Sequence, residues 1–172
     1  MPKNLEKKML HKNYYFLQTI TKKEVKFVEN NNLNVLDEVN KGATMGMDAI
    51  KFVSEKNHDS NLKEALNIEY NKYKKISERV NDLYNQYTTN KKPHETNKMD
   101  KMMTWYGVQM RTIKDDTPSK LSELLMQGTN MGIIEGRRLL NNNTRINDNV
   151  KNILNDFVEM QEDSVETLKK FL

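Results

Sequence analysis

A chain of 172 residues has the size of one domain and is long enough to bury a core. With 36% hydrophobic and 30% charged residues and a mean hydropathy of −0.88, it suits helices that each bury one stripe better than a compact α/β enzyme. The absence of cysteine excludes disulfides, thiolate metal sites, iron–sulfur clusters and a cysteine nucleophile, and the formal charge of +4 is too small to name a partner by itself.

Apolar positions Leu5, Met9, Phe16, Ile20, Phe27 and Val28 predict a first helix over 5–28, ended by Asn30-Asn31-Asn32. Its lysines (Lys3, Lys7, Lys8, Lys12, Lys22, Lys23, Lys26) outnumber Glu6 and Glu24, so a nucleic-acid or anionic-surface role has to be weighed against plain solubilisation of a helix. Solubilisation is favoured, because neither arginine nor aromatic interleaving is present to stack on bases. A second helix is expected from about Val35 to Lys56, with Leu36, Val39, Ala43, Gly46, Ile50 and Val53 on one face. The loop 57–61 follows, with Ser60 or Asn61 as the expected cap of the next helix.

From Leu62 to Tyr87 the stripe Leu62, Leu66, Glu69, Tyr73, Ile76, Val80, Leu83, Tyr87 alternates four and three, and Glu69 is its one charged member. A polar connector leads to Met99, Met102, Met103, Tyr106, Met110 and Ile113, read as a short methionine-rich helix that fills a gap over the bundle. Asp115-Asp116-Thr117-Pro118 is a helix start, and Leu121, Leu125, Gly128, Met131, Gly132, Glu135 and Leu139 form the stripe of the helix it opens. The last helix runs from about Asp148 to Leu172, with Val150, Leu154, Phe157, Gln161, Ser164, Leu168 and Phe171 inward.

The segment Gly42-Ala43-Thr44-Met45-Gly46 matches Gly128-Thr129-Asn130-Met131-Gly132, which predicts two copies of one helical hairpin joined by a long crossover. Glycine inside a helix costs about 1 kcal/mol relative to alanine. Gly42, Gly46, Gly128 and Gly132 are therefore expected to serve close packing of helix backbones. The expected class is all-α: a four-helix bundle of repeats 33–87 and 117–172, crossover 88–116, preceded by a basic helix in 1–32. No stretch approaches the roughly 18 apolar residues that cross a bilayer, and no signal-peptide run opens the chain. A cytoplasmic protein without membrane contact is expected. The 23 lysines against 5 arginines, with 23 asparagines, suggest an AT-rich bacterial or phage genome.

The block 101–140, above all Trp105-Tyr106-Gly107-Val108-Gln109-Met110, Asp116-Thr117-Pro118-Ser119 and Gln127-Gly128-Thr129-Asn130-Met131-Gly132-Ile133-Ile134, resembles small ferritin-like proteins of clostridia and related Firmicutes. The resemblance extends over about 33–172. It implies that metal-binding relatives place a glutamate after the first glycine of each repeat and a Glu-x-x-His pair on each following helix. Here those positions read Ala43 and Thr129, Glu69 with Lys72, and Gln161 with Ser164. One carboxylate remains, so no di-metal centre, no cofactor and no catalytic activity are expected. Glu69 is read as a structural contact with Tyr73, Lys72 or Arg138, as part of a partner or small-molecule site, or as a residual metal ligand. Glu69, Tyr73, Glu135, Arg138 and Gln161 form the candidate polar core, with a Glu69–Arg138 pair across the bundle. The expected function is a non-enzymatic scaffold or interaction protein that self-associates, as a homodimer, or binds another protein. The alternatives are a metal- or redox-linked protein with an atypical site, and nucleic-acid or anionic-surface binding through the basic helix.

Overall fold

The structure is a computed structural model; it describes residues 3–88, 92–93, 107–108 and 114–172, with side chains described from residue 21 onward. Among the described residues there are four long α-helices and no strand. They are α1 (Lys3–Lys56), α2 (Ser60–Tyr87), α3 (Pro118–Asn142) and α4 (Asp148–Leu168), the last followed by a 3-10 turn at Lys169–Phe171. Of the crossover, only 107–108 is described as helical, and the rest of the methionine-rich segment 99–113 lies outside the described residues.

The expected break at Asn30-Asn31-Asn32 does not occur: α1 is one helix through all three residues. Asparagine is only a weak helix former, not a breaker, and tertiary contacts override such a preference. Asn32 is fully buried, and its Oδ1 accepts the backbone N–H of Asn147 at 2.9 Å. That residue in turn donates its side-chain amide to the Tyr87 hydroxyl at 2.8 Å. The cap of α2 also differs from expectation. Asp59, not Ser60 or Asn61, accepts the Leu62 N–H at 2.8 Å, while the Asn57 side chain bridges the turn to the Asp59 backbone. The start of α3 is as the sequence implies, with Thr117 as cap and Pro118 in the first turn. Asp115 accepts the Thr117 N–H at 3.0 Å, and hydrogen bonds from Thr117 hold its carboxyl below the ordinary value.

Side-chain pairings fix the direction of each helix. Asn32 meets Asn147, and Gly42 lies against Phe157, so α1 and α4 run parallel. Arg79 bonds Asp156 and Glu69 bonds Ser164, so α2 runs against α4. Gly132 lies against Gln161 and Gly136 against Val158, so α3 also runs against α4. Helices α2 and α3 are therefore parallel, and the connection between them has to return along the bundle. Its far end sits by the α1–α2 turn, where His58 Nε2 is 3.8 Å from Asp116.

The α2 stripe points inward as its period requires: Leu62, Leu66, Glu69, Tyr73, Ile76, Val80 and Leu83 are all buried. Leu36, Val39, Ala43, Ile50 and Val53 of α1, Leu121, Leu124 and Leu125 of α3, and Val150, Leu154, Phe157 and Leu168 of α4 are buried with them. Because Asn32, Tyr87 and Asn147 share one level, the earlier part of α1 runs past the ends of α2 and α4 as an arm. Residues 21–30 are exposed except for half-buried Val28. At 1.5 Å per residue, the arm from Lys3 to Asn31 is about 43 Å long. Asp37 and Glu38, which follow the helix start expected at about Val35, stand mid-helix, and Asp37 accepts the Tyr84 hydroxyl at 3.5 Å.

Candidate functional site

Four helical glycines, Gly42, Gly46, Gly132 and Gly136, face side chains and not other backbones. They make room for side chains from the neighbouring helices. A Cβ on Gly46 would stand 2.4 Å from the Tyr73 ring, and one on Gly42 would stand 2.8 Å from the tip of Phe157. On α3, a Cβ on Gly132 would meet Gln161 Nε2 at 2.2 Å, and one on Gly136 would meet a Val158 methyl at 2.4 Å. Tyr73 and Gln161 thus lie flat against α1 and α3 respectively. Tyr73 also meets Phe157 edge to face, with ring centroids 6.3 Å apart.

Between α1 and α3 this arrangement leaves a cleft of about 490 Å³, with Gly42, Gly46, Gly128, Gly132 and Gly136 along its two walls. The floor is supplied by α2 and α4 and includes Glu69, Tyr73, Phe157, Gln161 and Ser164, all buried. Glu38, Lys41, Met45, Met131 and Glu135 also line it, and among these Glu38 is exposed and the others are half-buried.

Glu69 is the carboxylate of the floor and is 1% exposed. Burial of an ionised carboxylate is costly unless its oxygens are satisfied. Lys72 Nζ donates to Oε1 at 2.7 Å from one turn along α2, and the Ser164 hydroxyl of α4 donates to Oε2. The partner is therefore Lys72 and not Arg138. Arg138 pairs with Glu135 on its own helix, where both side chains are about half exposed, and the expected Glu69–Arg138 link does not form. Such exposed pairs within one helix contribute about 0.3–0.5 kcal/mol. Glu135 still borders the cleft, whereas Arg138 does not.

Burial pushes the Tyr73 phenol above its ordinary pKa and the negative charge of Glu69 adds to this, while hydrogen bonding with Gln161 and Thr129 opposes it. Tyr84 shifts the same way, through burial and the Asp37 carboxylate. The folded chain holds both protons more tightly than the unfolded chain does. Their contribution to stability is intact below pH 10 and is lost as pH rises through the raised values. Part of the tyrosinate absorbance should therefore appear late, together with alkaline unfolding. Tyr73→Phe should diminish that late part; amplitude lost from the early part instead would refute the buried placement.

Of the six positions that the resemblance marks for metal ligands, Glu69, Thr129, Gln161 and Ser164 line the cleft, while Ala43 and Lys72 do not. The donors present do not fit a di-metal centre. Glu69 is already held by an ammonium and a hydroxyl, and Thr129 gives its hydroxyl hydrogen to the Leu125 carbonyl at 2.9 Å. Among the described residues no three His, Cys, Asp or Glu side chains gather. His58 is exposed at a turn, and the side chains of His11 and His94 lie outside the described residues. Sequence reasoning missed Gly136 and the cleft itself. The signal was present, because five glycines on two helices mark missing side-chain volume as well as close approach. No protein-family model, no curated protein and no solved structure matches the chain.

Proposed function

We propose that this is a non-enzymatic interaction protein: a ferritin-like bundle without a metal centre that self-associates as a homodimer through its N-terminal arm. The observation that carries this reading is the 54-residue helix α1, about half of which leaves the bundle. An isolated helix in water is marginal unless a packed face supports it. On this arm Val25 and Phe27 are each 53% exposed, which is surface that a second copy would cover. The parallel α2 and α3, joined by a connection that spans the bundle, support the ferritin-like assignment.

Solution mass tests the reading. The untagged chain is expected at twice its 20.3 kDa, and Val25→Glu with Phe27→Glu is expected to give monomer at an unchanged melting temperature. A monomeric parent chain, or metal bound at one or more ions per chain, would overturn it. A second reading rests on exposed Lys22, Lys23 and Lys26, which suit an anionic surface or nucleic acid. It requires DNA binding that weakens steeply with salt and disappears when these lysines are replaced by glutamine.

A further inference from the structure

Gln161 is 3% exposed and lines the cleft, and its Oε1 has no hydrogen-bond partner in the protein. Its Nε2 end occupies the space that a Cβ on Gly132 would take, and its side chain hydrogen-bonds with the Tyr73 phenol. A buried carbonyl oxygen without a donor is costly, so it requires an explanation. Near it on the floor stands Glu69, whose carboxylate has lone pairs beyond those taken by Lys72 and Ser164. The floor therefore presents acceptors in need of donors. Around them the surface is carbon, from Leu66, Leu125, Phe157 and Met131. A volume of about 490 Å³ lies in the range of small-molecule sites.

We infer that the cleft binds a small apolar molecule with a hydrogen-bond donor head, an alcohol or a primary ammonium. The head sits at Gln161 Oε1 and Glu69, and the body lies between Phe157 and Met131. A carboxylate head is rejected, since it would bring a second anion to Glu69 and no donor to Gln161. This site does not depend on the arm, and its test reads binding whatever the solution mass.

The test is calorimetric titration of the full chain with four probes of one shape: 2-naphthylmethanol, 2-naphthylmethylammonium, 2-naphthoate and naphthalene. The alcohol and the ammonium should bind at least about tenfold more tightly than naphthoate. Gln161→Met keeps the side-chain length and removes the acceptor. It should weaken the alcohol about tenfold and leave naphthalene unchanged. Ala49→Trp, at a half-buried wall position, should abolish binding of all four by filling the cleft. Equal affinity for alcohol and carboxylate, undiminished binding to either variant, or no binding of any probe would overturn the inference.

Discussion

Replacing Gly46 by alanine should lower Tm by roughly 4–12 °C, the consequence of about 2–3 kcal/mol lost from a packed interior. The new methyl would stand 2.4 to 2.6 Å from three atoms of the Tyr73 ring. A ring cannot fold away as a chain end can, and this one is held at its other side by Phe157. The gain of about 1 kcal/mol from removing a helical glycine offsets only part of the strain. Gly132→Ala should cost less, because the atom in its way is the tip of a flexible glutamine, which can turn into the cleft. Gly107→Ala should be neutral or stabilising, with open space where its Cβ would be. Thermal unfolding of the three variants checks the order, and a Gly46→Ala protein as stable as its parent would refute the ring contact.

Lys72→Met should destabilise the chain by about 3 kcal/mol, because it leaves the Glu69 carboxylate buried with only a serine hydroxyl beside it. The asymmetry between the partners predicts the pattern of variants. The Lys72 side chain is 34% exposed, so its ammonium reaches water, whereas Glu69 is 2% exposed and has no such outlet. Glu69→Gln should therefore cost less than Lys72→Met, and the double variant should recover most of the loss. Denaturant titration of the two singles and the double gives the coupling directly. Additive losses would mean that the two groups do not interact, contrary to the 2.7 Å bond.

The sequence made the inward faces of α2 and α4 legible because their period of three and four is set by the core alone. Leu62 to Leu83 and Val150 to Leu168 are buried where expected, and Glu69, Gln161 and Ser164 with them. The continuity of α1 was not legible, since what carries it through Asn32 is a bond to Asn147, 115 residues away. Nor was the partner of Glu69. Spacing leaves Lys72 and Arg138 both available in principle, and only the position of α3 removes Arg138 to the outer edge. On α3 the expected stripe is buried at Leu121 and Leu125 but opens onto the cleft further along. Thr129 and Gly136 are buried, while Gly128, Met131, Gly132, Glu135 and Leu139 are half-buried along the cleft. An opening on one side of a helix leaves no mark on its periodicity.

Because α1 runs unbroken from the arm into the wall of the cleft, a second copy packed on the arm would make it one shaft with no joint between its two ends. Whatever the arm holds is set at a fixed angle to the bundle. From Phe27 to Gly46 that shaft is about 29 Å long, and each residue added or removed between them would turn one end against the other by about 100°. Length in the stretch around Asn30 is thus an orientation constraint, although no side chain there touches either site.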